Sequence, residues 1–382
     1  MRVVLDATAI PAERGGVGRY VDELVRHLGA AGADVAVVAQ QRDVQRFAEV
    51  LGAGRAVAAP AGIARRPVRL AWEQVGLPAA LRRWRPDVLH SPHYTMPLLA
   101  GLPVVVTLHD ATFFSHPDLH QPAKRRFFRV ATRVAVKRAA GLVVPSAATR
   151  DEVVRYTGAD PTLFTVAFHG VDSSRFRVAS AAERERARAL LDLPDGMPYL
   201  AFLGTLEPRK NVPELIRGWV QACGGLDRPP ALVLAGGTGW DAHIENAIAS
   251  VPTNLVLRRP GYLPVDDLAG YLSGAALVTY PSLGEGFGLP VLEAMASGAC
   301  VLTTRRLSLP EVGGDAVAYC EPDADSIASA LRALMADPGR RSELSRLAVG
   351  RAQSFTWAAA AEAHVDAYGA ALRGVERAAP TV

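Results

Sequence analysis

The sequence contains no run of about 18 apolar residues free of charge, which excludes a membrane-spanning helix. It has only three cysteines in 382 residues: Cys223, Cys300 and Cys320. Their number is odd and their spacing matches no metal or redox motif. A disulfide-stapled framework and a cysteine-ligated zinc are therefore excluded, and a reducing, cytoplasmic setting is expected. Short-period repeats and low-complexity tracts are missing too, although "AAAAEAHVDAYGAALRG" near the end reads as an Ala-rich helix. The first residues, "MRVVLDATAI", turn polar too soon for a secretory leader and read instead as a buried strand.

What is present is a globular composition. Hydrophobic residues make up 49% and charged residues 21%, which suits large cores. The length suits two ordinary domains. The formal charge of +4 conceals an asymmetry: residues 1–178 carry 24 Lys/Arg against 15 Asp/Glu, and the remainder 18 against 23. The front is near +9 and the back near −5, and such a split calls for an explanation.

Short β-rich runs alternate with helical patterns. "VVLDA", "VAVVA", "DVLH", "VVVTLHD", "GLVVPS" and "TVAFHG" read as strands in the first half. "YLAFLG", "ALVLAGG", "NLVLRR", "AALVTYPS", "ACVLTT" and "AVAYC" do so in the second. Apolar strands bounded by turns and separated by helices imply parallel sheets covered on both faces. The expected fold class is α/β, with two doubly wound Rossmann-like domains facing each other across a cleft. The expected domains are 1–176 and 177–356, with a hinge near Ser173 to Ala182. A last helix, 357–382, is expected to cross back to the first domain.

Ligands of doubly wound sheets bind beyond the carboxyl ends of the strands, and four motifs follow strands. "GGVGRY", from Gly15, puts glycines before a helix, where backbone N–H groups can approach an anion. A turn needing positive φ would explain it equally well. In "VVVTLHDATFFSHP", His109 and Asp110 stand just past a strand; a neutral His can bond a sugar hydroxyl and the acid can orient polar groups. In "LAFLGTLEPRKN", Arg209 and Lys210 follow Gly204 and Pro208. Adjacent cations at a strand end suit a diphosphate, one as a fork and one as a point charge. The plainer alternative is a solvated basic turn.

The fourth motif is "YPSLGEGFGLPVLEAMASGACVL". Pro290 can open a helix after the glycine loop. The N–H groups of Phe287, Gly288 and Leu289 would then lie at its positive end, with Glu293 in the first turn and Glu285 in the loop. Carboxylates there would repel an anion, so they serve another group. Ionised acids accept well from vicinal hydroxyls. A molecule with hydroxyls on either side of a diphosphate is a nucleotide sugar. Paired carboxylates also serve glycoside hydrolases. A hydrolase has no evident use for Arg209 and Lys210, whereas a departing diphosphate does.

With these motifs in this order, the chain resembles the retaining glycosyltransferases of family 4, of the GT-B fold, over nearly its whole length. The resemblance rests on "EGFGLPVLE", "GGVGRY", "LHD", "HGVD", "GTLEPRKN" and "LAGG". It implies that Arg209 and Lys210 bind the donor diphosphate and that Glu285, with Phe287, Gly288 and Leu289 alongside, holds the transferred sugar. It gives the ribose to Glu293. Gly15, Gly16, Gly204 and Gly236 fall to the donor site, and His109, beside Asp110, to the sugar near its reacting carbon. It further implies retention without a protein nucleophile. GDP-mannose is favoured as donor, with UDP-sugars open, and the acceptor is a glycan, lipid-linked or small molecule. One departure is Thr205, where many relatives have Arg. Phosphorylases share the fold, but no persuasive pyridoxal-phosphate lysine is found; no cofactor is expected. A catalytically silent nucleotide-sugar-binding or membrane-recruited scaffold is the alternative function.

Two features remain. Asp323 to Asp325, "DAD", opens a helix and reads as a cap, not a metal site. In "PAKRRFFRVATRVAVKRAAG", Arg125, Arg129, Arg133 and Lys137 recur every four residues. This stripe is expected to face solvent, and peripheral contact with an anionic membrane at its inner face is one reading. Nucleic acid is not expected, because no aromatic platform accompanies the charge.

Overall fold

A computed structural model of the chain describes residues 1–12 and 14–378, with side chains to 374. The chain forms two compact units: Met1–Gly170 with the segment from Thr356 onward, and Val171–Phe355.

The first unit is built on a seven-stranded sheet. Its strands are β1 (Arg2–Asp6), β2 (Asp34–Ala39), β3 (Ala56–Ala58), β4 (Val88–Ser91), β5 (Val104–Thr107), β6 (Gly141–Val144) and β7 (Phe164–Val166). Their order is β3-β2-β1-β4-β5-β6-β7 and every pairing is parallel. Six of these runs are legible as alternating apolar segments. β3 is an addition: three residues, "AVA", carry too little pattern to announce a strand, and their pairing with β2 makes one.

One sheet face buries Val4, Leu89, Val106 and Val144 against Leu77 and Leu81 of the helix Arg66–Leu81 and Ala135 of the helix Pro122–Arg138. In the helix Arg66–Leu81, Arg69, Glu73, Leu77 and Leu81 recur every four residues and form its buried stripe. Side chains alternate along a strand, so His90 of β4 and Thr107 of β5 point to the opposite face. That face is covered by the helices Gly15–Leu28 and Trp357–Ala378.

A buried hydrogen-bonded chain joins the last helix to this face. His364 Nδ1 donates to the Ala360 carbonyl at 2.6 Å, so its Nε2 accepts from the Tyr20 hydroxyl at 2.7 Å. Tyr20 then accepts from Thr107 Oγ1 at 2.8 Å. Thr107 has spent its one proton and accepts from His90 Nε2 at 2.8 Å, and His90 Nδ1 accepts from the Tyr368 hydroxyl at 2.9 Å. Burial lowers both histidines, His364 to about 4, so both are neutral and each bond has one direction.

The second unit is built on β8 (Tyr199–Leu203), β9 (Ala231–Ala235), β10 (Leu257–Gly261), β11 (Leu277–Tyr280), β12 (Val301–Thr304) and β13 (Ala318–Cys320). Their order is β10-β9-β8-β11-β12-β13, again all parallel. β9, "ALVLA", is buried throughout, as a strand covered on both faces must be. The three cysteines are free and buried. Asp323 caps the helix Ala324–Ala336 by accepting from Ser326 N at 2.9 Å. Among the described residues no helix is long and apolar enough to cross a membrane.

Candidate active site

In the second unit the strand order reverses between β8 and β11. A doubly wound sheet leaves its ligand crevice beyond the carboxyl ends of the strands at such a point. Gly204, Arg209 and Lys210 follow β8, and Glu285 follows β11. The topology therefore brings together two segments about 75 residues apart in sequence.

Arg209 and Lys210 sit on the 3-10 turn Pro208–Lys210. Asn211 ends that turn in the left-handed region, φ 60°, and its amide donates to the carbonyls of Pro322 at 2.6 Å and Pro281 at 3.2 Å. The Arg209 carbonyl accepts from Leu283 N at 2.9 Å. The basic turn is thus stitched to the loop that carries Glu285.

The side chains converge on Glu285, which is 6% exposed. Its Oε1 accepts from Lys210 Nζ at 2.7 Å, Ser282 Oγ at 2.7 Å and the Tyr280 hydroxyl at 3.1 Å. Its Oε2 accepts from Arg209. Arg209 also donates to the Gly284 carbonyl at 2.7 Å and to Glu207 at 2.5 Å. Lys210 donates to the Tyr280 hydroxyl and lies 4.8 Å from the centre of its ring. Burial opposes ionisation of Glu285, but Arg209 and Lys210 outweigh it and hold the carboxyl down at about 2. Burial and the Arg209 charge push the Lys210 ammonium down, against the pull of Glu285. Two cations and two carboxylates, Glu207 and Glu285, balance locally.

This arrangement adds to the sequence reading. Glu285 was expected to face sugar hydroxyls; the structure makes it the common partner of both cations. Tyr280, Ser282 and Glu207 were not singled out, although each lies inside a quoted motif. Their signal is position: a hydroxyl at the end of β11, another two residues on, and an acid two residues before the arginine.

The helix that follows is Leu289–Ala296, with Gly288 before it at φ 105°. Glu293 is its fifth residue, so it lies beyond the first turn, which holds no acid. The expectation of a first-turn glutamate is corrected, because the helix starts at Leu289, one residue before Pro290. Glu293, Phe287 and Leu289 are all buried, and Ser308 Oγ fixes the loop by donating to the Glu285 carbonyl at 2.8 Å or the Phe287 carbonyl at 2.9 Å. Gly236, φ 127°, ends β9 so close to Gly204 that a Cβ would stand 2.2 Å from the Gly204 carbonyl oxygen. Beside it a cavity of about 300 Å³ is lined by Leu206, Leu234, Gly236, Thr238, Arg259 and Gly261.

In the first unit, Gly15 and Gly16 open the helix Gly15–Leu28, and a Cβ on either would meet nothing within 4 Å. His109 follows β5. Its Nε2 donates to the Pro92 carbonyl at 2.7 Å, and burial lowers its pKa, against Pro92 and Asp110. Neutral His109 therefore keeps Nδ1 as an acceptor. The Tyr20 ring meets it edge-on at 5.1 Å. Asp110 turns its carboxylate to Thr112, accepting from the backbone N at 3.1 Å and Oγ1 at 2.9 Å. The loop carrying Pro92 is clamped by the helix Arg66–Leu81. Thr95 donates to Glu73 at 2.6 Å, Arg69 donates to Glu73 at 2.7 Å, and Gln74 donates to the Met96 carbonyl at 2.9 Å.

The basic stripe differs from expectation. Arg125 donates to the Pro117 carbonyl at 3.2 Å and Arg129 to the Phe113 carbonyl at 2.6 Å. The Arg129 and Arg133 guanidinium groups lie 5.4 and 5.2 Å from the centre of the Phe114 ring. A helix turns every 3.6 residues, so a four-residue repeat drifts around its axis and half this row faces its own domain.

Comparison with known proteins agrees with this geometry. The pattern of Glycosyltransferase Family 4 matches residues 14–175, and that of Glycosyl transferases group 1 matches residues 183–349. The chain is 28% identical to O-antigen chain mannosyltransferase B of Escherichia coli, over 96% of this chain and 99% of that one. It is 29% identical to a D-inositol 3-phosphate glycosyltransferase of Corynebacterium diphtheriae, over 94% and 90%. Among solved structures, Anabaena HepE in complex with UDP-glucose superposes with a TM-score of 0.73 at 15% identity, over 99% and 100% of the two chains. Matched in both halves, with two doubly wound units, the chain belongs to the family 4 glycosyltransferases of the GT-B fold.

Proposed function

We propose that the chain transfers a hexose, with retention of configuration and without a metal, from a nucleotide-diphosphate sugar to a hydroxyl of a glycan, lipid-linked or small-molecule acceptor. GDP-mannose is the first donor to try; the mannosyltransferase name of the Escherichia coli relative supports that choice. The observation that carries the proposal is the Arg209–Lys210 pair bridged by Glu285 at the reversal of strand order.

The chemistry needed is stabilisation of a departing diphosphate, and a buried lysine beside a half-buried arginine supplies it. Their charge is met by Glu285 and Glu207. An arriving diphosphate competes for the same donors. As phosphate oxygens take Arg209 and Lys210, Glu285 loses partners and turns its acceptor capacity to the sugar hydroxyls. One carboxylate thus keeps the cations poised before the donor binds and orients the sugar afterwards. Glu293 takes the ribose, and Gly236 borders the cavity at the nucleoside end.

Incubating the chain with a panel of nucleotide sugars and candidate acceptors, with excess EDTA present, tests this. Expected is acceptor-dependent release of the nucleoside diphosphate and an anomer matching that of the donor. Donor binding without turnover on any acceptor would favour the silent scaffold, and an inverted product would overturn retention.

A further inference from the structure

Among the described residues five non-glycine residues have φ in the left-handed region: Arg85, Tyr94, Asp192, Asn211 and Leu307. Only two of them are buried, Tyr94 at 3% exposure and Asn211 at 8%. Asn211 ends the turn that carries Arg209 and Lys210. Tyr94 follows β4 in the first unit, at φ 59°. Asparagine tolerates that region, whereas a bulky aromatic side chain is a genuine outlier there. Thr95 N donates to the His93 carbonyl at 2.6 Å across Tyr94, a three-residue turn whose positive-φ form is rare and strained. Backbone strain of this kind persists only where the surroundings impose it, and it gathers at functional sites.

The surroundings that impose it lie at the end of β5. Tyr94 N donates to the Thr107 carbonyl at 3.1 Å. The Tyr94 hydroxyl accepts from Asp110 N at 2.9 Å and donates to the Asp110 carbonyl at 3.1 Å. That N–H belongs to the peptide joining His109 to Asp110, and the carbonyl to the next peptide. One hydroxyl therefore fixes two consecutive peptide planes. The His109 ring is held separately, by the Pro92 carbonyl at 2.7 Å. Three rings meet the Tyr94 ring edge-on: His93 at 5.2 Å, Phe128 at 4.8 Å and Phe113 at 6.1 Å between centres. Phenylalanine would meet those packing contacts as well, so the hydroxyl has a role of its own.

We propose that Tyr94 is a positioning residue: its hydroxyl sets the His109–Asp110 turn, and with it the direction in which His109 Nδ1 is presented to the transferred sugar. The inference rests on the proposed reaction and on the expected contact of His109 with the sugar near its reacting carbon. His109 is fixed through its ring by Pro92 and through its backbone by Tyr94, so both attachments come from the loop after β4. That loop is in turn held to the helix Arg66–Leu81 by the bond from Thr95 to Glu73. Without the hydroxyl the peptide after His109 can rotate about the ring's anchor, and Nδ1 swings away from the sugar. Displacing such a contact by about 1 Å costs up to ~100-fold in rate. The diphosphate contacts are untouched, since Arg209 and Lys210 belong to the second unit.

Sugar transfer by four chains tests it: the wild type, Tyr94→Phe, His109→Ala and the two changes combined. Each rate is expressed per site that binds GDP or UDP in calorimetry. Tyr94→Phe should lower kcat about 10- to 100-fold and leave nucleotide affinity within about twofold. In the His109→Ala background the same change should cost nothing further, because a residue that acts through His109 then has nothing to position. A general loosening of the unit would instead lower both backgrounds by the same factor. If the phenylalanine chain does not fold, Tyr94→Asn, which suits the left-handed backbone, takes its place with the same expectation. Amide exchange at Asp110 reads the geometry without catalysis and should quicken at least ~10-fold in the variant. If the wild type transfers no sugar, the proposed reaction fails, and the exchange measurement alone decides whether the hydroxyl holds the turn. Three results would overturn the inference: a wild-type kcat for Tyr94→Phe, an equal loss in both backgrounds, or unchanged exchange at Asp110.

Discussion

Replacing Glu285 by Gln removes one negative charge and nearly keeps the shape. That charge holds Arg209 and Lys210. A carboxyl held at about 2 instead of 4.5 is worth about 3 kcal/mol to its ionised form. A diphosphate entering the same site meets the carboxylate as a competitor. Two like charges about 6 Å apart repel by ~3 kcal/mol at an effective dielectric of 20. Screening and the looser cations of the variant reduce this, leaving about 1.4 kcal/mol, or tenfold. Glu285→Gln should therefore bind GDP or UDP about tenfold more tightly than the wild type while transferring sugar ~100-fold or more slowly, because a neutral amide is a weaker acceptor for the sugar hydroxyls than a carboxylate. Titration calorimetry and initial rates read the two effects separately. Stability supplies a third reading. The folded pKa of Glu285 is depressed, so its contribution is complete above about pH 4.5 and vanishes as pH falls through about 2. The wild type should exceed the variant by roughly 3 kcal/mol in urea at pH 7, and the gap should close between pH 5 and 2. Weaker nucleotide binding by Glu285→Gln would refute the competition, and a gap independent of pH would refute the ion pairs.

Other outcomes follow from the same geometry. Arg209→Ala and Lys210→Ala should each cut turnover by ~2–4 kcal/mol of transition-state stabilisation while the fold survives; near-wild-type rates for both would remove them from the site. Activity should persist in excess EDTA, and a complete loss restored by Mn²⁺ or Mg²⁺ would show that the cationic pair does not suffice. Tyr20→Phe should cost about 1–3 kcal/mol in urea unfolding, since it strands Thr107 Oγ1 and His364 Nε2 in the interior; an unchanged midpoint would mean that water replaces the hydroxyl.

Strand positions were legible because both sheets are parallel and buried, which writes each strand as a short apolar run between turn residues. β3 escaped because three residues in an Ala-rich stretch give no period. The cations and the glutamates of the site were legible because their motifs end strands. Their pairing was not: no local pattern tells Glu285 that Arg209 and Lys210, 75 residues earlier, are its partners rather than a ligand's. The same limit applies to the helix Pro122–Arg138. Its arginines count as solvated on a helical wheel, and only tertiary packing brings the Phe113 and Pro117 carbonyls within their reach.

The helix Trp357–Ala378 gives the chain an order of assembly. It is synthesised after every strand of both sheets, yet its His364 and Tyr368 complete the interior of the unit whose strands precede those of the other. On the ribosome the first sheet emerges with the Tyr20 hydroxyl and His90 Nδ1 waiting for partners about 280 to 340 residues downstream. The second unit, uninterrupted from Val171 to Phe355, has no such dependence and can close as soon as it has emerged. The first unit therefore finishes folding after the second, and a nascent chain halted before Trp357 should hold a sealed second unit and an open first one.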